Sequence, residues 1–542
     1  MKLSLSKVGI ASLLAPIRQF QWSYLPPLMV YLAAGVSGLT AIVGTFFIKE
    51  YLGLSASMLA GLAFWAGLPW TLKMPLGHLV DLWWRYKSAL VFIGAGLIAV
   101  SLAIMLGLVS EPVAMQAVLP LETWFVVSTL LAPTGYVIQD VVADAMTVEA
   151  VPILDASGNP LSEEEIKDHH TTMQTLGRFA IIGGSAMVAA ANIWLFEGVE
   201  QMTEAQRLAS YTQIYTAALL IPFISVLGVL LGLWFGFRRR QNLQEQAPSE
   251  SSDGVGMIEP HISAEPNWTI LGGSVVFVLF SVLMGSSEVR FSQEIVFAGA
   301  MAIVLFLMHR LLLELTVSAR RELIGTALII FIFRAVPGPG PGATWFEIDV
   351  LAFDQQFLAV LSLITTLIAM LGMLLLRPLM ASRSLAYLVA LLSVVAAVLS
   401  LPNIGLFYGI HEFTSAMTGG VVDARAIALI DTMLESPLGQ IAMIPMLAWI
   451  ARSAPAYLKA TFFAVMASFT NLALSASQLL TRYINEWRVI TREVKDAATG
   501  QVSVGADYSH LGEILILVTA LTLLMPLLAV LLVQRSRWRT KA

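Results

Sequence analysis

The chain has 542 residues, 57% of them hydrophobic and only 12% charged, with a mean hydropathy of +0.79 and a formal net charge of −5. Water-soluble folds carry roughly a quarter of their residues charged, and a chain this apolar would expose large greasy patches to water, so a soluble globular fold is excluded. No basic domain is present to hold a nucleic acid. Cysteine is absent, which removes disulfides, thiolate metal sites and thiol nucleophiles. The histidines are scattered, and the one adjacent pair, His169-His170, has the wrong spacing for two ligands on one helical face; no metal or cofactor is expected.

In chain order, Lys2 and Lys7 precede a short apolar run, Val8 to Ala15, that ends at Pro16-Ile17-Arg18 without a small-x-small cleavage site. Segment 1–23 therefore reads as an uncleaved cytoplasmic segment lying on the membrane surface. A bilayer crossing takes about 20 mainly apolar residues. Such stretches occupy 24–48, 56–80, 88–110, 121–149, 172–195 and 211–237. A polar gap at 238–266 opens with Arg238-Arg239-Arg240 and reads as a flexible cytoplasmic linker. Apolar stretches resume at 267–286, 292–315, 321–338, 354–379, 383–401, 424–451, 457–485 and 510–534. Ser162 to Glu165 has capping-box spacing, which starts the fifth helix there. Arg488 to Arg492, a turn near 496–500 and Gln501 to Val504 predict a short β-hairpin.

With fourteen spans and both termini cytoplasmic, 20 of the 31 Lys and Arg fall inside, 8 outside and 3 within spans (Lys73, Arg178 and Arg334). A missed span would swap the sides of everything after it, so the bias supports an even count. The expected fold is all-α and polytopic. It has a six-helix half at 24–237, an inserted transmembrane pair at 267–315 and a second six-helix half at 316–535. Two six-span halves around a central cavity match the major facilitator-type fold.

Charges inside spans cost about 2.5–3.5 kcal/mol each on insertion scales, and they survive by facing a polar cavity or one another. Asp140 and Asp144 are spaced i, i+4 and share one helical face. Two close carboxylates resist both ionising, which makes one a candidate proton carrier. Lys73 and Arg178 belong at similar depth, so a polar cluster of Lys73, Asp140, Asp144 and Arg178 is expected. It either couples or binds substrate, or it merely locks helices together. Gly77, Asp81 and Arg85 form a loose loop motif, read as a conformational latch with Gly77 permitting close helix approach. Ordinary loop anchoring is the other reading.

Arg334 lies near the outer end of its span, just before Pro337-Gly-Pro-Gly-Pro-Gly342. It either grips a substrate carboxylate or snorkels to the outer head groups. The Pro-Gly run is a hinge or simply an outer loop. Asn471 is a further polar candidate within a span, and Trp65, Trp70, Tyr136 and Phe179 offer ring faces for a flat solute. The sequence contains no P-loop and neither HExxH nor GxSxG, so no enzyme is expected.

Four motifs carry a family resemblance: Leu68-Pro69-Trp70-Thr71-Leu72-Lys73 with Gly77 and Asp81; Asp140 to Glu149 with Asp144 inside it; Gln174 to Arg178 with Gly183-Gly184; and Pro455, Ala460 to Ala464 and Ser468 to Asn471. Together they resemble the folate–biopterin transporter family, a branch of the major facilitator superfamily. The stretch from Phe331 through Pro337 to Phe353 and Phe357 is similar to that family's seventh core helix and outer loop. The resemblance implies proton-linked or exchange movement of folates or pterins; a monomer in a bacterial-type inner (cell) membrane is expected. The chain departs from the pattern in its inserted pair, in Lys459 where a Glu is expected and in Arg334 where an apolar or aromatic residue is usual. Another solute (a peptide, muropeptide or pigment precursor) and a non-transporting assembly factor stay open as alternatives.

Overall fold

A computed structural model describes residues 20–71, 73–83, 86–152, 159, 161–246, 268–287, 289–313, 315–375, 383–435, 459–495 and 502–540. Most of the N-terminal segment expected to lie on the membrane, most of the linker and the second part of the 424–451 stretch fall outside them.

The first helices are α1 (Leu25–Val36), α2 (Ala41–Tyr51), α3 (Ala56–Thr71), α4 (Lys73–Leu82), α5 (Lys87–Ser110) and α6 (Leu121–Ala150). They continue as α7 (Glu163–Leu195), α8 (Glu204–Ala218) and α9 (Ile221–Gln246). The stretch expected to be an inserted pair carries α10 (Trp268–Ser286) and α11 (Ser292–Leu313). Then come α12 (Val317–Arg334), α13 (Pro341–Asp349), α14 (Gln355–Leu375), α15 (Leu385–Leu399), α16 (Leu401–Phe407), α17 (Ile410–Thr418) and α18 (Ala424–Glu435). The chain ends on α19 (Lys459–Trp487), strands β1 (Val494–Lys495) and β2 (Val502–Val504), and α20 (Leu511–Arg535). Among the described residues, nine helical segments are long and apolar enough to cross a membrane.

Local signals set these elements. Ser162 and Glu165 close the expected capping box at the start of α7. Thr203 and Gln206 do the same for α8, which the sequence pattern began later, at 211. β1 and β2 pair antiparallel, with Thr491 and Asp507 bridged beyond them; the predicted hairpin forms, with its first strand at 494–495 rather than 488–492 and its expected turn outside the described residues. The linker is corrected at its start: α9 continues through Arg238–Arg240 to Gln246, because Arg, Gln and Glu are good helix formers even where they are too polar for lipid.

Lipid supplies no hydrophobic drive between helices, so close packing and buried polar contacts hold them together. Gly94 of α5 and Gly135 of α6 meet so closely that a Cβ on Gly94 would stand 2.7 Å from the Gly135 carbonyl oxygen. Ser101 and Ser128 hydrogen-bond between the same helices at 2.9 Å. Buried Gln139 of α6 donates to the Val91 carbonyl at 3.2 Å and to Ser225 of α9 at 2.9 Å.

Helices α1–α9 pack mainly on one another, and α12, α15 and α20 form a second group, which α19 joins through α12 and α14 joins through α18. The groups meet along two seams, α3 against α19 and α7 against α14. The inserted pair lies against this junction, α11 touching α19 and α3. Gln293 of α11 reaches in to donate to the Gly61 carbonyl at 3.1 Å.

Candidate functional site

Asp140 and Asp144 stand one turn apart on α6, and Lys73 opens α4 beside them. The Lys73 ammonium bridges both carboxylates, 2.6 Å from Asp140 Oδ2 and 2.8 Å from Asp144 Oδ2. Tyr31 of α1 donates its hydroxyl to Asp144 Oδ1 at 2.7 Å. Three of the four expected members therefore meet, and Tyr31 joins them without having been expected. The Tyr31 ring lies against Gly177, where a Cβ would come within 2.9 Å of it; the glycine before Arg178 makes room for that ring. Arg178 itself is exposed. Its charge acts on Asp140 and Tyr31, but it forms no ion pair with either carboxylate among the described residues. The cation between the two carboxylates relieves the repulsion on which the sequence argument turned. Asp144 is the open member, with 47% of its side chain exposed against 22% for Asp140.

Asn471 of α19 donates to the Trp70 carbonyl at 3.1 Å, one turn before Lys73. It ties the two helix groups together beside the cluster rather than pointing free into a cleft.

Arg334 is the last residue of α12, and the residues after it are held by a polar ladder on α19. Ser477 donates to the Val336 carbonyl at 2.7 Å, Thr481 accepts from the Gly338 N–H at 3.0 Å, and Asn485 donates to the Pro339 carbonyl at 3.2 Å. The ladder satisfies backbone that a broken helix would leave unpaired in lipid. Phe331, one turn before Arg334, packs against Phe469 at 4.9 Å between ring centroids. Arg334 is half-buried, and the Pro-Gly run joins the end of α12 to α13.

Among the described residues, nothing lies within 4 Å of where a Gly77 Cβ would stand; close crossings there use Gly35 with Gly184 and Gly94 with Gly135. The side chain of Asp81, and Arg85 altogether, fall outside the described residues, as does the side chain of Lys459. Lys87 and Glu149 pair at 2.6 Å at this end of α5 and α6. Trp65 faces Gly285 of the inserted pair, 3.5 Å from where its Cβ would stand, and packs there rather than beside the cluster. Tyr136 is packed against the core of the first group.

A second polar assembly closes the end that carries the β-hairpin. Lys49 of α2, 8% exposed, pairs with Asp349 of α13, and Tyr508 donates to the same carboxylate at 2.5 Å. Arg492, 2% exposed, donates to the Leu54 carbonyl at 2.9 Å and the Ile48 carbonyl at 2.8 Å. Its guanidinium lies 4.5 Å from the Trp345 ring centroid. Burial pushes the Arg492 guanidinium down to about 10, still charged at neutral pH, and raises the Tyr508 hydroxyl, which stays a donor. Lys49 joins α2 to α13, and Arg492 and Tyr508 tie the hairpin segment to α2 and its following loop and to α13.

A model of the BT1 family matches residues 200–541. The chain belongs to the BT1 family. Over 514 residues it is 21% identical to a folate-biopterin transporter of Synechocystis sp., covering 93% of this chain and 80% of that relative. Its fold is that of solved transporters. A POT family transporter in complex with 5-aminolevulinic acid matches with a TM-score of 0.59 at 12% identity, over 94% of this chain and 95% of the other. The nucleoside transporter NupG matches with a TM-score of 0.53 at 11% identity, over 94% and 98%. The sequence resemblance to the folate–biopterin transporter family therefore holds, and this BT1-family chain is a multi-pass membrane transport protein for a small molecule rather than an enzyme.

Proposed function

We propose that the chain is a secondary active transporter that moves folate, a pterin or a related planar organic anion across the inner (cell) membrane, by alternating access and coupled to protons. The observation that carries this reading is Lys73 shared between Asp140 and Asp144, with Asp144 open on its far side. The chain works as a monomer of fourteen spans with both termini cytoplasmic: halves at 24–237 and 316–535, a linker at 238–266 and the inserted pair at 267–315. The β-hairpin end is the outer face.

Lys73, Asp140, Asp144 and Arg178 form the coupling group. A proton arriving at Asp144 neutralises one of the two carboxylates that Lys73 holds, frees part of the ammonium's pairing and weakens the cluster. Arg334 supplies a half-buried cation without an ion-pair partner among the described residues, suited to a carboxylate. Folate carries carboxylates and biopterin does not, so Arg334 favours folate-like cargo. The contacts of Lys49, Asp349 and Arg492 hold the outer ends of the halves together, and they must part for cargo to enter from outside. Asp81 and Arg85 act as the inner counterpart.

Uptake of labelled folate into proteoliposomes, with the outside acidified or not, tests the reading. Expected is accumulation only with the pH gradient, competed by folate more strongly than by biopterin. Equal, gradient-independent retention in liposomes with and without the protein would contradict transport and leave the assembly-factor alternative.

A further inference from the structure

The chain after α20 does not trail away. Ser536 donates to the Val533 carbonyl at 2.9 Å and accepts from the Trp538 N–H at 3.0 Å. Gln534 donates to Thr540 at 2.6 Å, and Thr540 is 8% exposed. The Trp538 carbonyl seats against Gly325 of α12, where a Cβ would run into it. Residues 536–540 are thereby pinned across α12 near its first turns, with Arg537 and Arg539 two residues apart.

Beside this tail opens a cavity of about 430 Å³ lined by Val317, Ser318, Arg321, Glu322, Arg537 and Arg539. Three guanidinium groups against one carboxylate leave it two charges positive. The neighbouring Arg320 is otherwise engaged, donating to the Leu312 carbonyl at 2.8 Å. Arg321, Arg537 and Arg539 have no carboxylate partner among the described residues, and the N-terminal turn of α12, whose dipole favours anions, forms the cavity wall.

We propose that this cavity binds the phosphate of an anionic phospholipid head group. Planar guanidinium groups match phosphate oxygens in pairs, and basic pockets between helix ends at a bilayer surface hold such head groups. The inference rests on α12 and α20 crossing a bilayer, which puts their shared end at head-group depth. A soluble phosphate has the same chemistry but lacks the acyl chains that the neighbouring apolar helix faces would hold.

Native mass spectrometry of the detergent-purified full chain tests this, titrated with phosphatidylglycerol, phosphatidylcholine or inorganic phosphate. It reads lipid retention and not transport, so failure of the transport reading would leave it standing. Expected is clear preference for phosphatidylglycerol, falling about a hundredfold in the triple variant Arg321→Gln, Arg537→Gln, Arg539→Gln. Gly325→Ala keeps every charge but pushes the tail off α12, and it should lose most of the same preference. Undiminished preference in the triple variant would overturn the site, and undiminished preference in Gly325→Ala would reduce it to diffuse surface charge. Displacement of the lipid by millimolar inorganic phosphate would overturn the lipid as occupant.

Discussion

Two assemblies in this molecule use the same side chains to different ends. At the coupling cluster a lysine is shared by two aspartates and a tyrosine donates to one of them; at the β-hairpin end a lysine meets one aspartate and a tyrosine donates to that. The difference is solvent access and redundancy. Lys73 is 26% exposed with two carboxylates to choose from, and one of those is open. Lys49 is buried with a single carboxylate, and buried Arg492 reinforces the same junction. A shared, open cation can exchange partners when a proton arrives, whereas a buried one-to-one pair holds until the helices carrying it separate.

Replacing Lys73 with Met sharpens this contrast most strongly. It leaves two facing carboxylates without their cation, and the folded protein should lose about 2–3 kcal/mol, less than a fully buried pair loses because Asp144 is open. A thermal-shift series over pH reads it, and the loss should shrink under acid, where one carboxylate protonates. Asp349→Asn should spare stability more but unlock the hairpin end. A cysteine introduced near that end should then label roughly tenfold faster, the equivalent of about 1.4 kcal/mol. Arg334→Gln should raise the KM for folate about tenfold and leave biopterin unaffected, since a charged hydrogen bond to a carboxylate contributes about 1.5–3 kcal/mol. Asn471→Ala, which removes one bond to a backbone carbonyl, should change transport by only a few-fold. If Asn471→Ala outweighed Lys73→Met, the seam rather than the cluster would carry the mechanism.

Much of this could be read from residue order because the signals are local. Asp140 and Asp144 advertise a shared face by their spacing, Ser162 and Glu165 close a capping box four residues long, and the 488–504 pattern folds into a hairpin. What escaped is long-range. Tyr31 meets Asp144 across 113 positions, and Arg492 meets Ile48 across 444. Arg492 was legible as part of the hairpin pattern, yet nothing beside it announces two carbonyls at the end of another helix. The Ser477, Thr481 and Asn485 ladder did carry a signal, small polar residues every fourth position in an apolar helix, and its meaning needed the broken strand of backbone opposite. Gly77 shows the converse: a glycine in a loop motif does not say which helix passes nearby, and none of the described residues comes within 4 Å of its Cβ position.

Asp144→Asn tests the central claim most directly, assayed in proteoliposomes for both gradient-driven uptake and gradient-free counterflow of folate. The asparagine keeps the size of the side chain and an acceptor for Tyr31 but cannot take up a proton. Counterflow should persist while accumulation driven by the pH gradient disappears. Gradient-driven accumulation at the unsubstituted rate would contradict proton coupling at this carboxylate.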